Sequence, residues 1–300
     1  NAETDGFYTL RSDQRGSIDQ KANSEAHAYQ GLLRIEANES WLFTLRAALF
    51  EEDRLNGTPL SFNGTEATDF SITALHRFED SDSGFNIVAY TQERDFHNQF
   101  TSVTNDRNSE RPALDQFAMP AGAEGASFNF FTRIAEKHDF SIGGDIRLLE
   151  GDINERFRNL GNGFTRLRKA GGEQEIFGLF STSQILLSNK SRLAATLRAD
   201  KVKNTDGQRQ EWNTESNAQI RNDRIRPTIE SFFSNNLTLY HDFSQNLRGM
   251  IRQSSGFRAP TLNELYRPFR VKNDIIEANQ NLNTEKHLGF EAGLRFNADD

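Results

Sequence analysis

Residues 284–296 read TEKHLGFEAGLRF and contain the clearest alternation of apolar and polar side chains in the chain. One set of alternate positions is apolar: Leu288, Phe290, Ala292, Leu294 and Phe296. The positions between them are polar or small: His287, Gly289, Glu291, Gly293 and Arg295. Successive side chains of a strand point to opposite faces, so this period of two predicts a β-strand with one apolar and one polar face. The apolar face covers about ten residues, the length of a tilted strand that crosses a bilayer.

The same pattern recurs along the chain and predicts twelve strands. They cover residues 6–12, 25–37, 41–52, 68–79, 84–95, 123–135, 139–150, 172–187, 191–204, 228–241, 246–257 and 284–296. Short connections (38–40, 80–83, 136–138, 188–190 and 242–245) alternate with long ones (13–24, 53–67, 96–122, 151–171, 205–227 and 258–283). Outer-membrane barrels separate short turns and long loops in this way, one kind on each side of the membrane.

Charged side chains fall on the polar register of these strands. The examples are Arg147, Arg198, Asp200, Glu291 and Arg295. An arginine at mid-depth on a lipid face would cost about 2–4 kcal/mol, so this placement favours an apolar side in lipid and a hydrated inner side. A soluble sandwich, whose polar face meets bulk water, would show the same alternation and stays an alternative at this point.

Aromatic residues concentrate near the short connections. They are Trp41, Phe78, Phe85, Phe140, Tyr240, Phe243 and Phe296. This predicts a girdle of rings at headgroup depth, although Phe and Tyr also favour strands in general. Apolar residues occupy both faces at residues 176–180 and at Phe232 and Phe233. A bulge or a lumen-facing aromatic side chain would explain either place.

The composition of the 300-residue chain argues against several classes of protein. A net charge of −8 disfavours a nucleic-acid partner, and the lack of cysteine excludes disulfides and thiolate metal sites. No apolar run approaches the ~20 residues of a membrane-spanning helix. The histidines lack metal-ligand spacing and no common catalytic motif is present, so we expect no catalytic residue, metal or cofactor. The chain starts without a signal peptide, which leads us to expect a mature protein or a fragment.

Residues 256–266 read GFRAPTLNELY at the end of one predicted strand, and residues 278–285 read ANQNLNTE ahead of the last one. The first stretch resembles, almost residue for residue, a barrel signature of the TonB-dependent receptors of the bacterial outer membrane: Gly256, Phe257, Arg258, Ala259, Pro260, Thr261, Leu262, Asn263, Glu264, Leu265 and Tyr266. The second resembles the family's ANPxLxPE-like element at Ala278, Asn279, Leu282 and Glu285. Gln280 and Thr284 stand where that element frequently has proline.

The resemblance implies an all-β protein, an antiparallel up-and-down transmembrane β-barrel in the outer membrane of a Gram-negative bacterium. Such receptors have about 22 strands, so twelve predict an incomplete barrel over residues 1–300, an open curved sheet. The plug domain, the TonB box and the remaining strands would lie outside these residues. The implied partners are outer-membrane lipid, TonB with its inner-membrane complex acting through the plug, and a ferric siderophore or a similarly large, scarce solute. The implied protein is a transporter and not an enzyme.

Aromatic and basic residues of the long connections are the candidates for solute capture, because rings and cations suit a bulky, anionic iron chelate. They are Phe96, His97, Phe100, Phe157, Arg158, Phe164, Arg166, Trp212, Tyr266, Arg267, Phe269 and Arg270. Ordinary loop packing would also place such residues there. Within the motif, Arg258, Glu264 and Tyr266 either shape the base of the loop or contact ligand or plug.

Two other functions remain open on the sequence. A passive porin-like or adhesin barrel would span the membrane without a plug. A soluble β-rich carbohydrate-binding or hydrolytic domain would pack the apolar faces of its strands against a second sheet.

Overall fold

The computed structural model describes residues 1–79, 82–135, 137–271 and 274–297. Nearly all of these residues are in strands. The strands are β1 (Ala2–Phe7), β2 (Ala22–Glu36), β3 (Trp41–Thr58), β4 (Ser61–Arg77), β5 (Gly84–Val103), β6 (Glu110–Ala118), β7 (Ala121–Ile134), β8 (His138–Asn159), β9 (Phe164–Ser188), β10 (Ser191–Asn213), β11 (Gln219–Arg224), β12 (Thr228–Asp242), β13 (Leu247–Arg258), β14 (Phe269–Val271), β15 (Asp274–Ile276) and β16 (Glu285–Phe296). A 3-10 turn spans Ser12–Gln14, and the α-helix α1 spans Leu262–Tyr266.

Fourteen strands form one antiparallel sheet, and β14 and β15 form a separate hairpin. Two wall strands are each divided in two, since β6 and β7 both lie between β5 and β8, and β11 and β12 both pair with β10. Pro120 and Pro227 lie at these divisions, where a missing N–H interrupts the ladder. Counted as continuous wall strands, the sheet has the predicted twelve. Among the described residues β1 and β16 each have one neighbour, so the predicted open sheet is confirmed.

The prediction of long irregular loops was wrong at four of the six long connections. Residues 53–67, 96–122, 151–171 and 205–227 are mostly β-strand, so β8, β9 and β10 reach 22, 25 and 23 residues. The polar sequences of these segments gave no strand signal, because a strand with polar side chains on both faces shows no alternation of apolar and polar residues. We call these strand extensions the long hairpins. The first predicted strand was also misplaced, because β1 ends at Phe7 and a 3-10 turn follows.

The ladder registers sort the wall into two faces. We call outer the face with the apolar row of β16, where Phe290 is 75% and Leu294 is 76% exposed. The inner face carries the charged residues that the sequence placed on the polar register, with Arg198 bound to both Asp145 and Asp200. Residues directly opposite in an antiparallel pair share a face, and the registers run without a shift through the apolar band, so they extend this division across the sheet. No second sheet covers the outer face in the described part of the chain, which contradicts the sandwich alternative.

Two boundaries frame the apolar band of the outer face. Near the short turns, Trp41 packs against His76 and Phe85 with ring centroids 4.4 and 5.7 Å apart, in an aromatic cluster at the predicted end of the strands. Tyr240 is an exception, since its register with Arg192 puts it on the inner face. At the opposite end a row of carboxylates crosses neighbouring strands: Glu51, Glu66, Asp95, Glu93, Glu150 and Glu173. The apolar band therefore ends where the long hairpins begin.

The two places with apolar residues on both faces contain no bulge. The register between β9 and β10 runs unbroken from Glu173 to Leu186, so Phe177 faces outward and Phe180 faces inward beside Arg198. Phe232 and Phe233 likewise alternate in an unbroken register with β10. Lumen-facing aromatic side chains are the explanation at both places. Among the described residues there is no helix long and apolar enough to cross a bilayer.

Candidate functional site

The segment that follows β13 folds across the inner face of the wall, and we call residues 259–268 the shelf. Its helix α1 starts at a capping box. The Thr261 hydroxyl accepts a hydrogen bond from the Glu264 N–H at 3.3 Å, and the Glu264 carboxylate accepts one from the Thr261 N–H at 2.8 Å. The sequence T-x-x-E encodes this reciprocal pair. It lets five residues hold a helical turn that would be unstable on its own.

An arginine clamp closes the base of the shelf. Arg258 donates to Glu264 at 3.0 Å and to Glu285, the first residue of β16, at 2.5 Å. The Asn279 N–H also donates to the carbonyl of Glu264 at 3.0 Å, so the two halves of the sequence motif meet here. Within the motif these contacts support the reading that Arg258, Glu264 and Glu285 shape the loop base. Phe257 stacks on Phe232, with ring centroids 4.3 Å apart.

The clamp is expected to be insensitive to physiological pH. The hydrogen bond from Arg258, with those from Thr261, lowers the pKa of Glu264 to about 2. A carboxyl group with a lowered folded-state pKa stabilises at any pH above its unfolded value, and this contribution is lost as the pH falls towards 2. Hydrogen-exchange protection factors of residues 261–266 should therefore be equal at about pH 7 and pH 5.5. Glu264→Gln should lower them at both pH values, and a wild-type loss of protection by pH 5.5 would contradict the assignment.

Tyr266 anchors the shelf in a slot of the wall. It is 4% exposed, and its ring lies against Gly172 of β9 and Gly207 of β10. A Cβ at Gly172 would lie 2.6 Å from the ring and one at Gly207 would lie 2.7 Å from it. The slot forms at an irregularity of β10, where the register shifts between Thr205 and Gln208. Tyr266 thus has a packing contact in the structure, which favours the alternative that it shapes the base of the loop.

Three polar contacts fix the rest of the shelf to the long hairpins. They are Gln174 Nε2 to the Pro260 carbonyl (3.1 Å), Arg168 Nη2 to the Pro268 carbonyl (3.3 Å) and Arg267 Nη2 to Gln116 Oε1 (3.1 Å). Behind them, the fully buried Glu155 pairs with Arg168 and accepts from Gln116 at 3.0 Å. A buried carboxylate is stable only when it is paired and hydrogen-bonded, as this one is. Sequence reasoning missed these residues, because only the register of β8 with β9 brings Glu155 opposite Arg168.

Most predicted capture residues lie on the inner side of the wall. By register and contacts these are Phe96, Phe100, Phe157, Phe164, Arg166, Arg267 and Phe269. The rings of Phe100 and Phe269 lie 5.6 Å apart, and the Arg168 guanidinium lies 4.4 Å from the Phe157 ring. His97 and Trp212 differ, since their registers put them on the outer face of the hairpins, where His97 lies 3.1 Å from Asp115.

The two remaining predicted residues do not join this group. Arg158 is the penultimate residue of β8 and has a positive φ of 61°, at the point where the hairpin turns. The side chain of Arg270 lies outside the described residues. Within the described ranges, no group of three or more His, Asp or Glu side chains is arranged to hold a metal ion. The site is thus a lining of aromatic rings, arginines and amides on the inner face of the long hairpins and the shelf.

Comparisons with known proteins agree with this architecture. The family model described as "TonB dependent receptor-like, beta-barrel" matches residues 5–300. Among curated protein sequences no match was found. Solved structures with a similar fold include the ferric yersiniabactin uptake receptor FyuA from Yersinia pestis (13% identity, TM-score 0.70, covering 100% of this chain and 46% of that one).

Two further similar structures are the ferric-catecholate import receptor Fiu from E. coli K12 and the siderophore receptor PiuA from Acinetobacter baumannii. Fiu is 9% identical with a TM-score of 0.70, over 94% of this chain and 50% of that one. PiuA is 12% identical with a TM-score of 0.67, over 94% of this chain and 49% of that one. At these identities the likeness is one of fold, and the chain spans about half the length of each structure.

Proposed function

The chain belongs to the family of TonB-dependent receptor β-barrels, and from that premise we propose that it forms part of the barrel wall of an outer-membrane receptor for a ferric siderophore or a similarly large, scarce solute. The family consists of transporters and receptors and is not a class of enzymes. The observation that carries the proposal is the lining on the inner face of the long hairpins and the shelf. There Phe96, Phe100, Phe157 and Phe269 share the inner side with Arg166 and Arg267.

This lining suits the chemistry of a chelated metal. Aromatic faces cover a bulky ligand at low entropic cost, and guanidinium groups bind anionic oxygens with paired, directional hydrogen bonds. The shelf lies on the same inner face, where Tyr266 packs against the wall and Arg267 contacts Gln116.

The proposal includes two partners. Lipid covers the apolar band of the outer face, since the side chains exposed there are oily and the charges lie inside. TonB and its inner-membrane complex supply energy through a plug domain. Because the chain spans about half of the structures it resembles, the plug and the completion of the wall are parts of the proposal.

Uptake measurements in the native bacterium test the proposal. Deletion of the gene should abolish growth on at least one ferric siderophore as the sole iron source, and a plasmid copy should restore it. The same loss is expected in a strain without TonB, because transport of such solutes requires that energy source. Uptake that survives loss of TonB would support the passive porin-like alternative. Unchanged use of every ferric chelate in a broad panel would contradict the siderophore as solute.

A further inference from the structure

A cavity of about 310 Å³ lies between the shelf and the wall. Its lining combines apolar and polar side chains: Phe96, Met119, Ile153, Asn98, Asn263 and Arg267. Met119, Ile153 and Ala170 form the small hydrophobic cluster behind it, with Phe96 packed against them. Asp152 also borders the cavity, but its carboxylate is paired with Lys169 at 3.3 Å.

Arg267 brings an uncompensated cation to this cavity. Its Nη2 donates to the amide oxygen of Gln116, which is a neutral acceptor. Its Nε is buried and has no hydrogen-bond partner. Among the described residues no carboxylate lies within salt-bridge distance of Arg267, whereas its neighbour Arg168 has both Glu155 and Glu211. A buried donor without an acceptor costs free energy, and the cost is larger for a charged group.

The electrostatic surroundings add to that cost. Burial lowers the pKa of the Arg267 guanidinium, and Arg168 lowers it further, against the opposing effect of Glu155. The Glu155 carboxylate is hydrogen-bonded to Arg168 and is linked to Arg267 through the Gln116 amide. A negatively charged acceptor placed in the cavity would compensate the charge of Arg267.

We propose that this cavity is a binding site for an oxyanion group of the transported solute, with a carboxylate as the best-fitting chemistry. Arg267 would bind the anionic oxygens, the amides of Asn98 and Asn263 would donate to them, and Phe96 and Met119 would cover the attached carbon atoms. The inference rests on the proposed function for the source of the anion, and it narrows the solute to one with an exposed carboxylate or a similar anionic oxygen.

Calorimetric titration of the complete receptor in detergent tests the cavity without any transport. The probes are succinate and its neutral analogue succinamide, which has the same carbon skeleton. Succinate should bind, and succinamide should bind about tenfold more weakly or not at all, because a charge-assisted hydrogen bond is worth roughly 1.5–3 kcal/mol. Absence of succinate binding to folded wild-type receptor would overturn the proposal.

Variants of the cavity locate the binding. Arg267→Met should weaken succinate binding about tenfold or more, and Arg267→Lys should weaken it less, because the charge stays but the planar fork is lost. Asn98→Asp should also weaken it, because it supplies an internal carboxylate beside Arg267. The matched control is Arg221→Met, which removes an exposed arginine of β11 paired with Asp223 and should leave the affinity within about twofold.

Folding of each variant is checked by its thermal unfolding, and Asn98→Asp keeps the test valid if Arg267→Met does not fold. Equal succinate affinity in wild type and a folded Arg267 variant would overturn the site. If the receptor imports ferric chelates but its succinate affinity does not depend on Arg267, only this inference is refuted. A receptor that binds succinate through Arg267 but imports no ferric chelate would keep the anion site and refute the proposed solute class.

Discussion

Replacing Tyr266 with alanine is expected to release the shelf from the wall. The ring fills a slot between Gly172 and Gly207 and is 4% exposed, so its removal leaves a cavity that a β-sheet cannot collapse to fill. Truncation of a buried aromatic side chain typically costs about 3–5 kcal/mol. We expect residues 259–268 to lose most of their hydrogen-exchange protection, and solute uptake to fall with it.

Conservative and compensating variants make this prediction specific. Tyr266→Phe should behave as wild type, because the hydroxyl is not needed to fill the slot. Gly207→Ala should mimic the loss, because its Cβ would lie 2.7 Å from the ring. In the double variant the new methyl group meets an empty slot, so the two effects should be far from additive. Full protection of the shelf in Tyr266→Ala would show that the polar contacts alone hold it.

Replacing Leu197 with arginine is the second change with a large expected effect. Leu197 belongs to the outer row of β10, with Leu193 and Ala195 on the same face. It lies between Ser191, at the short-turn end of β10, and Lys201, which has the same outward register towards the long hairpins. A charged side chain on the lipid face costs about 2–4 kcal/mol near mid-depth. The complete receptor should fold into lipid vesicles with correspondingly lower stability, as measured by its urea midpoint.

The adjacent position provides the control. Thr196 faces inward, opposite Thr182 and Asn236, so an arginine there would enter the hydrated and already charged inner side. Thr196→Arg should leave the urea midpoint nearly unchanged in vesicles. When lipid is left out, the stabilities of Thr196→Arg and Leu197→Arg should no longer differ, because the cost of the arginine is one of transfer into hydrocarbon. Equal destabilisation by Thr196→Arg and Leu197→Arg would mean that the outer face does not meet lipid.

The wall itself was predictable because its pattern is local. The alternation of apolar and polar residues in stretches such as 284–296 indicates which face of a strand is apolar. Each stretch can be interpreted without knowledge of its neighbours. The strand count, the two faces and the inward placement of Arg198 and Glu291 follow from that pattern and are confirmed. The helix start at Thr261 was not predicted, although its signature is equally local, since the capping box of Thr261 and Glu264 spans only four residues.

The long hairpins escaped prediction for the same physical reason. Above the apolar band both faces of a strand meet water, so Glu, Asn and Thr occur without a period and read as loop. These segments are strands because a neighbouring hairpin satisfies their backbone groups, as β9 does for both β8 and β10. The pairing partner is supplied by the ladder and has no signature within the segment itself.

Side chains distant in sequence decide the candidate site. The amino-acid order shows a tyrosine, two glycines and many arginines and glutamates, but not that Tyr266 enters the gap between Gly172 and Gly207 or that Arg267 is left without a carboxylate. The sequence alone determines which side chains share the apolar face and which share the polar face, because that depends on the alternation of adjacent residues. What the folded wall alone settles is which polar groups meet one another, because that depends on strand register and on a loop that crosses the sheet.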